Sequence, residues 1–77
     1  MNKIILPELG DGIETATVAC WHIKEGDCVK KDDDVVELVT DKATFNVSAE
    51  CSGIIKEIFF NEGQKVKIGA TLAHVEP

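Results

Sequence analysis

Lys42 differs from the other lysines of this 77-residue chain in its surroundings. It lies in Thr40-Asp41-Lys42-Ala43-Thr44, between two runs rich in β-branched residues, Val35 to Thr40 and Ala43 to Ser48. Such runs read as strands, and a two-residue Asp41-Lys42 connection between them is the spacing of a hairpin. A lysine at that tip projects away from the core. Its amine is then either a solvated cation or the anchor of a covalently attached arm, and the turn residues by themselves leave both readings open.

Other reactive side chains give weaker signals. Cys20 and His22 fall two apart in a β-prone run, on one face and roughly 7 Å apart along the strand, without a third group to orient them, so we expect no catalytic pair. Cys20, Cys28 and Cys51 have no CxxC spacing, and His22 and His74 are the remaining soft ligands, so we expect free thiols and no metal site. Asp32-Asp33-Asp34 lacks the alternating ligands of a calcium loop and reads as a solvated connection. Gly10-Asp11-Gly12 is a glycine-bearing turn. No GxSxG, HExxH, phosphate-binding or dinucleotide motif occurs, so no catalytic residue is expected.

The elements that must position Lys42 are short strands. Candidates are Asn2 to Leu6, Thr15 to Ile23, Cys28-Val29, Val35 to Thr40, Ala43 to Ser48, Gly53 to Phe60, Lys65-Val66 and Thr71 to Glu76. Val29 to Val39 has the length of a helix, but its acidic run and β-branched tail favour a turn feeding a strand. An internal echo organises the set. Residues 22–40 align without a gap on 59–77, an offset of 37, with identity at Glu25-Gly26 and Glu62-Gly63 and at Val29-Lys30 and Val66-Lys67. Val18 falls on Ile55, Trp21 on Ile58, Val35 on Leu72 and Leu38 on Val75. Two copies this short cannot each close a core, so the halves share one. The predicted fold is all-β, eight strands with pseudo-two-fold symmetry and equivalent turns at the two Glu-Gly pairs, in one domain spanning 1–77.

Composition narrows the function classes. Fourteen acidic residues against eight basic ones give a net charge of -6, which opposes binding to nucleic acid or to an anionic membrane. Arginine and tyrosine are absent, removing the bidentate fork for phosphate and most stacking platforms. No apolar run reaches membrane length and no secretory leader is evident, so an intracellular location is expected.

With these motifs in order, the chain resembles the lipoyl domain of the dihydrolipoamide acyltransferase component of 2-oxo acid dehydrogenase complexes. The resemblance runs through Leu6-Pro7-Glu8-Leu9-Gly10-Asp11-Gly12-Ile13, Trp21-His22-Ile23-Lys24-Glu25-Gly26-Asp27, Thr40-Asp41-Lys42-Ala43-Thr44, Ser52-Gly53-Ile54-Ile55-Lys56-Glu57-Ile58, Glu62-Gly63 and Gly69. It implies a flattened eight-stranded barrel or sandwich with lipoate in amide linkage to Lys42, and with Asp41 and Ala43 helping a lipoylating enzyme recognise the turn and hold Lys42 outward. It further implies that the domain is a carrier and not an enzyme. The arm would accept an acyl group from a thiamine-diphosphate-dependent decarboxylase, deliver it to the acyltransferase core for transfer to coenzyme A, and be reoxidised by an FAD-containing dihydrolipoamide dehydrogenase. Gly10 to Ile13 and the acidic surface would contribute to partner recognition. The implied location is cytoplasmic in a bacterium or archaeon and the mitochondrial matrix in a eukaryote.

Two alternatives stand beside this reading. A biotinyl carrier domain has the same fold, but that family favours methionine on both sides of the modified lysine, where Asp41 and Ala43 stand here. An unmodified interaction module is the other. The sequence departs from the lipoyl pattern at Cys28, at Cys51 and in Ala49-Glu50-Cys51-Ser52, which lacks a proline often found near that turn.

Overall fold

The β-branched runs become eight strands in the computed structural model, which describes residues 2–77. They are β1 (Asn2–Ile5), β2 (Thr15–Trp21), β3 (Cys28–Val29), β4 (Asp34–Val39), β5 (Thr44–Ser48), β6 (Gly53–Ile58), β7 (Lys65–Lys67) and β8 (Thr71–Glu76). Every expected strand is present. The ends differ by one or two residues, most at β2 and β6, which stop at Trp21 and Ile58 although the next N–H groups, those of His22 and Phe59, still donate to the Val35 and Leu72 carbonyls of the neighbouring strands. Two antiparallel four-stranded sheets result, ordered β1-β8-β6-β3 and β5-β4-β2-β7. Their facing surfaces enclose the core of a flattened sandwich.

The echo in the sequence is an echo in the hydrogen bonding. Gly26 N–H donates to Ile55 O at 2.7 Å and Gly63 N–H to Val18 O at 2.8 Å. Ile55 N–H returns to Asp27 O, and Val18 N–H to Gln64 O. The turn side chains match as well: Lys24 N–H donates to Asp27 Oδ2 at 2.8 Å and Asn61 N–H to Gln64 Oε1 at 2.6 Å. Both glycines have positive φ, 93° and 91°, which glycine adopts without a Cβ penalty. Even the irregularities repeat, with register shifts between Val18 and Cys20 in β2 and between Ile55 and Glu57 in β6.

The same two-fold relation builds the core. Val18 and Ile55, Val29 and Val66, Val35 and Leu72, Val36 and Ala73, and Leu38 and Val75 are equivalent pairs at an offset of 37, and all are buried. For β1 and β5 the offset is 43, pairing Ile4 with Val47 and Leu6 with Ala49, again all buried. Each buried valine or leucine contributes about 1.5–3 kcal/mol relative to exposure, and neither half holds enough of them to fold apart from the other. Ala16 has Gly53 as its counterpart. A Cβ on Gly53 would collide with the Glu76 backbone carbonyl, so β6 and β8 approach there at a distance only glycine permits.

The acidic run is a structured connection that ends in the first residue of β4. Asp33 Oδ2 accepts from Lys30 N–H at 2.9 Å, and Asp34 Oδ1 accepts from Ser48 Oγ–H at 3.2 Å. Asp32 has φ 76°, the one positive value outside glycine among the described residues. It is equivalent to Gly69, φ 90°, whose N–H donates to Leu6 O as that of Asp32 donates to Ala49 O. Among the described residues no helix is long and apolar enough to cross a membrane.

Candidate functional site: the lysine hairpin

β4 and β5 pair in register up to Val39↔Thr44, leaving Thr40, Asp41, Lys42 and Ala43 to reverse the chain. The two central residues are Asp41 and Lys42, as expected, but the turn is not of the glycine-requiring hairpin type, since neither has positive φ. Thr40 supplies the missing closure. Its N–H donates to Ala43 O at 2.9 Å and its hydroxyl donates to the same oxygen at 3.1 Å. The same Oγ1 accepts from Lys42 N–H at 3.2 Å and from Ala43 N–H at 3.1 Å. A side chain thus stands in for the backbone carbonyl that a tighter hairpin would use.

Thr40 was not singled out in the sequence beyond its place in the motif. The available signal was a hydroxyl residue two before the central lysine, the pattern of a side-chain-closed turn. Ala43 contributes through its backbone, and Asp41 makes no side-chain hydrogen bond among the described residues. Asp41, Lys42 and Ala43 are all exposed. Lys42 forms no ion pair among the described residues, where the one salt bridge joins Lys56 and Glu76. Its Nζ is open to acylation on a backbone held by four bonds from one threonine.

The connection between β1 and β2 runs beside this tip. A Cβ placed on Gly12 would lie 3.9 Å from Lys42 Nζ, so the Gly10 to Ile13 segment borders the lysine. The register defines the ends of the sandwich. Leu6 bonds to Gly69 and Ala70, Thr15 pairs with Lys67, and Thr17 pairs with Val39, which gathers the end of β1, the start of β2 and the end of β4 near the lysine. Asn2 and Val75 pair with each other at the opposite end of β1 and β8.

The remaining sequence candidates lie elsewhere. Cys20 and His22 share the outer face of the second sheet with Glu37, their ligand atoms within 4.8 Å of one another, closer than strand spacing implied. Burial and the carboxylates of Glu37 and Glu62 push the Cys20 thiol up from its ordinary value, so it is a protonated thiol near neutrality and not an activated nucleophile. Cys28 is exposed, Cys51 is half-buried against the core, and all three cysteines are free.

The family Biotin_lipoyl, described as "Biotin-requiring enzyme", matches residues 2–75. The chain is 42% identical over 73 residues to the dihydrolipoyllysine-residue succinyltransferase component of the 2-oxoglutarate dehydrogenase complex of Rickettsia conorii, covering 95% of this chain and 18% of that protein. The like-named protein of Staphylococcus saprophyticus is 39% identical over 75 residues, 97% of this chain and 18% of its own. The chain therefore spans under a fifth of the length of these relatives. Among solved structures, the lipoyl domain of the Azotobacter vinelandii 2-oxoglutarate dehydrogenase complex superposes with a TM-score of 0.79 at 39% identity, covering 100% of this chain and 98% of that one. Kluyveromyces lactis urea carboxylase matches with the same TM-score at 23% identity, covering 96% of this chain and 6% of that one, a likeness of fold. With its fold, its hairpin lysine and its relatives in agreement, the chain belongs to the family of lipoyl domains of the acyltransferase components of 2-oxo acid dehydrogenase complexes.

Proposed function

We propose that Lys42 is the lipoylated residue and that this domain carries acyl groups between the active sites of a 2-oxo acid dehydrogenase complex. The observation that carries the reading is the exposed Lys42, free of ion pairs among the described residues, at a tip closed by Thr40. Lipoate held in amide linkage by Lys42 would supply a disulfide that can accept an acyl group on one sulfur together with the electron pair left by decarboxylation of the 2-oxo acid, the other sulfur taking a proton as a thiol. The chain's own residues do the positioning. The turn fixes the Lys42 backbone while the side chain stays free, so the arm's reach is set by its own length and its base does not wander. Tethering raises the arm's effective concentration at each partner site. Amide formation also removes the Lys42 charge.

The partners proposed are a lipoylating enzyme, a thiamine-diphosphate-dependent decarboxylase, an acyltransferase core using coenzyme A, and an FAD-dependent dihydrolipoamide dehydrogenase. None of these bond-making steps needs a residue of this chain. The names of the bacterial relatives favour 2-oxoglutarate as the oxo acid and succinyl as the group carried. Neither nucleic acid nor a membrane is proposed as a partner, and the cytoplasm or the mitochondrial matrix is the proposed setting.

The test is intact mass after incubation with a lipoylating enzyme, lipoate and ATP. We expect one lipoyl-sized increment, localised to Lys42 by fragmentation and absent from Lys42→Ala. Modification at another lysine, or none with competent enzyme, overturns the assignment. Reductive acylation of the modified domain by decarboxylases for 2-oxoglutarate and for pyruvate then distinguishes the oxo acid, the former expected to be faster.

A further inference from the structure

The outer face of the second sheet gathers three unlike metal ligands that the sequence spacing did not connect. Cys20 in β2 is the direct cross-strand partner of Glu37 in β4, and Glu37 is the direct partner of Asn46 in β5. His22 follows two residues after Cys20 and so lies on the same face. Its backbone is fixed by donation to Val35 O at 2.9 Å, and its Nε2 lies 3.2 Å from Asn46 Oδ1, which leans the ring across β4. The result is a thiol, an imidazole nitrogen and a carboxylate oxygen all within 4.8 Å of one another.

We propose that Cys20, His22 and Glu37 form a binding site for a divalent metal of zinc's class. Bond lengths of 2.0–2.3 Å in a tetrahedron put donor atoms roughly 3.3–3.8 Å apart. His22 is exposed and Glu37 half-exposed, so side-chain rotations can close the remaining gap without moving the strands, His22 turning its Nδ1 to the metal while Nε2 keeps Asn46. A mixed sulfur, nitrogen and oxygen set suits zinc, and suits magnesium or calcium poorly because neither favours thiolate. Three protein ligands leave a fourth position for water or an exogenous ligand. Glu62 adds a further negative charge near Cys20, and binding releases the thiol proton to solvent as the metal–sulfur bond forms. The Asn46 contact is the kind of outer hydrogen bond that holds a ligating histidine in place.

The other half of the molecule shows that the fold does not require this cluster. The positions equivalent to Cys20, His22, Glu37 and Asn46 are Glu57, Phe59, His74 and Lys3, paired through the same register. There Phe59 and His74 pack edge to face, with centroids 4.8 Å apart. Identical backbone thus carries a ligand set on one sheet and a ring contact on the other, so the convergence belongs to these residue types.

Cobalt(II) titration of the untagged chain tests the site, in both its unmodified and its oxidised lipoyl forms. We expect one equivalent bound in each form, with thiolate-to-cobalt charge-transfer absorption in the near ultraviolet that zinc displaces. Cys20→Ser should abolish the absorption, and His22→Ala and Glu37→Gln should each weaken binding by about tenfold or more, while the Cys28→Ser/Cys51→Ser double variant binds as the parent does. Circular dichroism confirms the fold of each variant. Zinc should also raise the melting temperature of the parent and not of Cys20→Ser, since a ligand bound only to the folded form stabilises it. Absorption that persists in Cys20→Ser, affinity unchanged in both His22→Ala and Glu37→Gln, or the absence of one-to-one binding overturns the proposal.

Discussion

Two connections in this molecule start from equivalent buried residues and enter equivalent strands, yet they are built differently. Leu6 reaches Ala16 through residues 7–15, whereas Ala49 reaches Gly53 through residues 50–52, six fewer. The longer one passes Lys42 at Gly12. The shorter one lies at the opposite end, where Ile54 pairs with Glu76 in the last strand. The core obeys the two-fold relation almost residue by residue, because each half needs the other's apolar face. The departures from it are concentrated at the lysine end and on the outer faces, where packing imposes no such demand. The symmetric part of the molecule is its core, and the asymmetric part is what it presents to solvent.

Breaking the pairing at its tightest point should cost most. Gly53→Ala forces β6 away from the Glu76 carbonyl and is expected to destabilise the domain by about 1–3 kcal/mol. The reverse change at the equivalent site, Ala16→Gly, has no such collision and should cost about 1 kcal/mol or less. Urea denaturation of the two variants decides it, and equal losses would show that the close approach at Gly53 is not what distinguishes the halves.

The left-handed pair sharpens the comparison at smaller scale. Gly69→Ala places a Cβ at φ 90° and should cost about 1–2 kcal/mol. Asp32→Gly relieves the strain at φ 76° but gives the unfolded chain more freedom. We expect a net gain of no more than about 0.5 kcal/mol, because aspartate already tolerates this region better than most residues. Thermal melts should therefore move in opposite directions, and a large loss in Asp32→Gly would mean that the aspartate side chain is needed at that turn.

At the lysine tip the stability cost is expected to be small. Thr40→Val keeps the shape of the side chain and removes three hydrogen bonds from an exposed turn. Water replaces part of what is lost, so the cost should be about 0.5–1 kcal/mol. Modification of Lys42 should slow by more than that suggests, as the tip samples conformations the lipoylating enzyme does not accept. Rates followed by mass spectrometry against unfolding curves separate the two; a modification rate equal to the parent's would show that Thr40 closes the turn without presenting the lysine.

The eight strands were legible because β-branched runs and glycine turns are local signals, and because the 37-residue echo exposed the pairing of halves. Their ends were not, since a strand stops where pairing with its neighbour stops and not where the β-prone run does; His22 and Phe59 each keep a single bond to the neighbouring strand beyond the last paired residue. The position of Lys42 was legible from two flanking strands. Its support by Thr40 was harder to see, because a hydroxyl replaces the glycine that usually announces a tight hairpin.

The sequence by itself determined an all-β domain of two matched halves with a lysine at a hairpin tip, since periodicity, turn residues and motif order lie along the chain. Only the tertiary structure decided that Gly12 borders Lys42, that Gly53 lies against the Glu76 carbonyl, and that Cys20 and His22 meet Glu37. Those neighbours are set by sheet register, and register is fixed by which apolar faces can be buried together across the whole fold.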